Sequence, residues 1–182
     1  MRAVSLLFAG LFAGFLLGVL VLENSLRGFD PAVYTQVRLV ELESLDTLAS
    51  VTLVPAIVTT LVLVFLARGN DRRLVLLGAA LLVVVFATTL AINLPINSDQ
   101  AGWSVAAPPA DWENVRDRWQ LAHLARTVAA VTAFVVLLAS AVWGGGKKSD
   151  DTGRRQPVDE EVVGDRLDGA VLEARRGLRH GQ

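Results

Sequence analysis

Four apolar runs, each long enough to cross a lipid bilayer, leave this chain few ways to fold. They cover about 4–22, 47–67, 74–92 and 119–143. Roughly 20 helical residues span the ~30 Å hydrocarbon core, and in lipid every backbone N–H and C=O must be bonded within its own segment. The 182 residues are 53% hydrophobic, too apolar for an ordinary soluble domain. The expected fold is all-α, a four-transmembrane-helix bundle with a long, partly extramembrane second helix and a charged C-terminal tail. The expected division is a transmembrane domain over 1–146 and a tail over 147–182.

The first run follows Arg2 and reads as an uncleaved span, because no small-residue cleavage site follows it. Gly10, Gly14 and Gly18 recur every four residues, a spacing that lets a second helix approach closely. Asp30 and Pro31 read as the N-cap and first residue of helix two. That helix starts mixed, with Arg38, Glu41, Glu43 and Asp46, and turns apolar from Leu48; Pro55 should loosen it locally. Val37, Glu41, Leu45 and Leu48 share a face, which puts Glu41 on the apolar side and Glu43 in solvent. The third span is predicted to stop at Ile92, closed off by Pro95 within Asn93-Leu94-Pro95-Ile96-Asn97. Asp111 should cap the fourth helix, and Gly144, Gly145 and Gly146 should break it.

Basic residues set the orientation. Arg2, Arg68, Arg72, Arg73, Lys147 and Lys148 fall on one side of a four-span chain. That side is expected to be cytoplasmic, which places both termini in the cytoplasm and the protein in the plasma (inner) membrane. The tail after Lys148 is charged and mixed in sign. It is expected to be mostly disordered, with a weak helical pattern over Val158 to Leu178 that suits a protein partner.

This topology gathers polar groups of all four helices at the outer end. Glu23 ends span one, Glu41 precedes span two, Asn93 and Asn97 end span three, and Arg116, Trp119, His123 and Arg126 open span four. On a helix, Trp112, Arg116, Trp119, His123 and Arg126 lie along one face. Ionisable groups at such depth normally face a helix-bundle interior or a wet cavity. Each has a plainer role available: His123 as a hydrogen-bond donor between helices, the arginines as partners of Glu23 or Glu41, Trp112 as an interface anchor.

The chain has no cysteine, which excludes disulfides and thiolate metal sites. A metal or haem on His123 with Glu23 or Glu41 would lack the usual nitrogen or sulfur partners, and His180 lies in the tail. No metal, cofactor or nucleic acid is expected.

Three features carry a resemblance: the glycine-rich first span over Phe8 to Gly18, the Asn93-Leu94-Pro95-Ile96-Asn97 stretch, and Trp119-x-x-x-His123-x-x-Arg126. Together they resemble a large family of small four-span membrane proteins, mostly of unknown function, that includes the anthrone oxygenases of aromatic polyketide pathways. The similarity covers roughly Val4 to Val142; the acidic stretch Val40 to Asp46 departs from the pattern. The resemblance implies a cofactor-independent oxygenase that converts an anthrone to an anthraquinone. Such a site needs a base and donors for an enolate oxygen. His123 is the candidate base, Arg126 and Asn97 the oxyanion donors, and Trp119 the stacking surface. Asn93, Glu41, Glu23 and Arg116 would complete the pocket for a hydrophobic aromatic or quinone-like ligand arriving from membrane lipid. The alternative reading is a non-enzymatic lipid or quinone binder, or an accessory subunit of a membrane complex.

Overall fold

A computed structural model describes residues 1–145, and the chain up to there is helical almost throughout. Helix α1 (Arg2–Ser25) passes through a short 3-10 turn (Leu26–Gly28) to α2 (Pro31–Leu66). Then come α3 (Gly69–Thr88), a π turn (Thr89–Asn93), α4 (Leu94–Gln100) and α5 (Trp112–Gly145). The tail over 147–182, with its expected disorder, helical pattern over Val158 to Leu178 and docking role, lies outside the described residues.

Among the described residues, four helical rods are long and apolar enough to cross a membrane: Arg2–Gly28, Pro31–Leu66, Gly69–Gln100 and Trp112–Trp143. They share one core. Phe12 and Leu16 of α1, Leu53 and Ala56 of α2, Leu82 and Val85 of α3, and Ala130, Ala133 and Leu137 of α5 pack together. Small residues set the closest approaches. A Cβ on Gly78 would sit 2.9 Å from Leu137, and one on Gly10 would sit 3.0 Å from Phe134. Of the three glycines spaced along α1, only Gly10 meets another helix among the described residues; Gly14 and Gly18 face open space. Outward positions carry large apolar side chains such as Leu7, Leu11, Val58, Phe65 and Val135, as lipid contact requires.

Helix α2 starts as the sequence predicts. The Asp30 carboxylate accepts from the backbone N–H groups of Ala32 and Val33 at 2.9 and 3.0 Å, with Pro31 at the first helical position. It then runs unbroken through Pro55 for 36 residues. At 1.5 Å per residue that is about 54 Å, well over the ~30 Å apolar thickness of a bilayer.

The third rod departs from expectation. It does not stop at Ile92; it continues through Pro95 to Gln100. Proline lacks an N–H, and its ring crowds the carbonyl of residue i−4. The π turn accommodates both effects: the Leu94 N–H bonds the Thr89 carbonyl five residues back, which widens the ladder just before the ring. Asn93, Asn97 and Gln100 therefore belong to one buried helical surface instead of a frayed end.

At the opposite end, Arg2 pairs with Asp71 and donates to the Ser140 carbonyl at 2.9 Å. Ser140 Oγ also donates to Asp71, so α1, α3 and α5 are tied together there. Gly69, at φ 61°, supplies the left-handed turn that starts α3.

Candidate functional site

The polar end is built around Arg38, a residue on the mixed first half of α2 that is only 3% exposed. Its guanidinium reaches four side chains. Nη1 lies 2.5 Å from Glu41 Oε2 and 3.2 Å from Glu23 Oε1. Nη2 donates to Asn97 Oδ1 at 2.9 Å, and Nε donates to Gln100 Oε1 at 3.1 Å. Arg38 also stacks 4.2 Å above the Trp119 ring. Residues 38, 41 and 45 are one turn apart, so the helical spacing that marks Glu41 as inward marks Arg38 as well.

Asn97 joins three helices. Besides Arg38, its Oδ1 accepts from Trp119 Nε1 at 2.6 Å, and its Nδ2 donates to Asp46 at 3.2 Å. Asn93 is fully buried one turn earlier and donates to the Trp119 backbone carbonyl at 3.4 Å. Glu23 is fully buried too; Gln120 Nε2 donates to its carboxylate at 3.0 Å and to its backbone carbonyl at 2.9 Å.

On α5, Trp119 and His123 stack with ring centroids 4.8 Å apart and planes 8° from parallel. His123 Nε2 donates to the Leu16 carbonyl at 3.0 Å. That bond fixes the tautomer and leaves Nδ1 as an acceptor, which takes Arg126 Nε at 3.1 Å and Nη2 at 2.9 Å. Arg126 also donates to Thr89 of the π turn at 3.2 Å. Among the described residues, Arg126 has no carboxylate in ion-pair contact, although it is 8% exposed.

A cavity of about 230 Å³ lies beside this network. Arg38, Glu41, Asp46, Thr89, Asn97, Trp119 and Arg126 supply its polar wall. Phe12, Phe15, Val19, Leu45 and Leu53 supply apolar surface. Val54, Phe86, Leu90 and Leu94 line the cavity and are also exposed on the outer surface, so the mouth opens sideways between α2 and the third rod.

The residues singled out from the sequence fall into two groups. Glu41, Asn97, Trp119 and Arg126 lie on the cavity wall. His123, Asn93, Glu23 and Arg116 do not. His123 stands behind Arg126 with both ring nitrogens engaged. Glu23 and Asn93 support Arg38 and Trp119 from behind. Arg116 bonds Asp117 and stacks 4.7 Å from Trp112, which in turn packs on Tyr34. Sequence reasoning misses Arg38, Asp46, Gln100 and Gln120 as members of the network. Among the described residues, no three His, Cys, Asp or Glu side chains are grouped as metal ligands would be.

The fold and its lateral cavity define a class: a small integral membrane protein of four apolar helices with a polar site at one end. Within that class, the anthrone oxygenase family model matches residues 47–136, from the apolar part of α2 into α5. No curated protein and no solved structure matches the chain.

Proposed function

We propose that this protein is a membrane oxidoreductase of the cofactor-independent oxygenase type, acting on a flat phenolic or anthrone-like substrate drawn from the bilayer through the lateral mouth. An anthrone has an acidic methylene across its central ring from an aromatic ketone. Removal of a methylene proton gives an enolate that can pass an electron to oxygen directly. One oxygen atom of O₂ becomes the new ring carbonyl; the other leaves as water with the two methylene hydrogens.

The observation that carries the reading is Arg126. A guanidinium that borders a cavity, is nearly buried and has no carboxylate partner among the described residues is a preformed receptor for an anion. His123 and Thr89 hold it in place. Trp119 lies beside it on the cavity wall, with the Asn97 amide at its edge. In this reading Arg126 holds the enolate oxygen, and His123 is a positioning residue for Arg126. Both termini face the cytoplasm of the plasma (inner) membrane, on the strength of Arg2, Arg68, Arg72 and Arg73, so the site lies toward the outer leaflet.

Purified full-length protein in lipid nanodiscs should consume oxygen with anthrone and release anthraquinone. Arg126→Ala should lower kcat/KM by about 100-fold, the scale of losing one oxyanion donor. No turnover by the wild type across a panel of anthrones and hydroquinones would end the enzyme reading and leave a binder of flat lipids.

A further inference from the structure

Two carboxylates and one guanidinium share the buried heart of the site. Glu23 and Glu41 both contact Arg38, and the three side chains are 0%, 5% and 3% exposed. One negative charge is therefore in surplus, in a place where an uncompensated charge is costly. Taking up one proton removes that surplus. Gln120 and Arg38 bind Glu23 from two sides, and it lies off the cavity wall. Glu41 is on the wall; Arg38 holds its Oε2, and its Oε1 is buried with no hydrogen-bond partner. A buried carboxylate oxygen with no hydrogen-bond partner is a vacant acceptor.

We propose that Glu41 is the catalytic residue that takes the substrate's methylene proton and returns it to the departing oxygen, with Arg38 and Glu23 as its positioning residues. The inference rests on the oxygenase reading and adds the base that reading leaves unnamed. It does not come with the family match, since residues 23, 38 and 41 precede the matched segment 47–136. The other candidate bases are worse placed. His123 is off the wall, and its only lone pair accepts from Arg126. Asp46 is an exposed carboxylate that Asn97 already engages.

The proton balance closes on Glu41 alone. Its carboxylate removes the first methylene proton, and the carbanion gives one electron to O₂. The resulting radicals combine to form the C–O bond of a peroxide anion, which Glu41 reprotonates. Glu41 then removes the second proton from the same carbon as the O–O bond breaks. The C–H electron pair forms the carbonyl, and the leaving hydroxide takes the proton from Glu41 as water.

The test compares wild type, Glu41→Gln, Glu41→Asp and Asp46→Asn in nanodiscs. Anthrone oxidation is followed by oxygen uptake, and anthraquinone binding by tryptophan quenching. In Glu41→Gln, Arg38 keeps Glu23, so the pocket should persist. The expected result is a fall in kcat of about 100-fold or more with anthraquinone affinity within about threefold. Glu41→Asp should recover part of the rate, and the acid limb of the wild-type pH profile should be lost in Glu41→Gln. Wild-type turnover with Glu41→Gln within tenfold of it overturns the assignment. So does a Glu41→Gln protein that loses affinity as much as rate, or a larger loss in Asp46→Asn. Should Glu41→Gln not fold, a Glu41→Asp enzyme with unchanged rate and pH profile overturns it. A wild type without turnover fails the oxygenase reading itself.

Discussion

The two ends of the helices handle charge in opposite ways. At one end Arg2 meets a single carboxylate, Asp71, and Ser140 bonds both partners. Nearby, Ser5 and Thr60 satisfy each other across α1 and α2 at 2.8 Å. At the other end one guanidinium faces two carboxylates, and a second, Arg126, faces none. Among the described residues, the buried side-chain atoms left without a hydrogen-bond partner are Glu23 Oε1, Thr35 Oγ1, Glu41 Oε1 and Asn93 Oδ1, all at this second end, Glu23 Oε1 keeping only its ion-pair contact with Arg38. Polar groups that only hold helices together can be closed into complete pairs. Unfilled valence beside a cavity costs stability, and a ligand can supply what is missing.

The contrast can be broken by substitution, and the largest effect should come at Arg38. Replacing it with alanine strands two buried carboxylates, and about 3–5 kcal/mol of stability should be lost, read as a lowered thermal midpoint in detergent. Adding Glu23→Gln and Glu41→Gln should restore much of it; failure to do so would mean that Arg38 acts through packing. A smaller effect is expected for Trp119→Phe, which keeps the stack on His123 and removes the donor to Asn97. About 1 kcal/mol of stability should go, together with anthraquinone affinity. The smallest belongs to the other end. The Arg2 side chain is 41% exposed, so Arg2→Ala should cost no more than about 1 kcal/mol and leave oxygen uptake unchanged. A site-end loss of activity from Arg2→Ala would show that the two ends are not independent.

Much of this architecture can be read from residues alone, because a bilayer permits little else. Apolar run lengths predict the four helices, and helical spacing places Glu41, Trp119 and Arg126 inward. Local rules fail where a partner lies far along the chain. The acceptor for His123 is the backbone carbonyl of Leu16, 107 residues away, and no side-chain pattern reports a carbonyl. Arg38 is missed as a member of the network because its partners sit on two other segments, at 23 on α1 and at 97 and 100 on α4. Pro95 reads as a helix end because the wider π turn that accommodates it is invisible to a 3.6-residue period.

That turn has a mechanical consequence. An α-helix is a rigid screw: fixing the angle of Leu82 and Val85 in the core would fix the angle of every residue beyond them. A π turn behaves like one extra residue let into the thread and rotates the rest of the rod by up to about 100°. The segment that packs among the helices and the segment that delivers Asn97 and Gln100 to Arg38 are thus indexed separately, like two gears on one shaft joined by a slipped tooth.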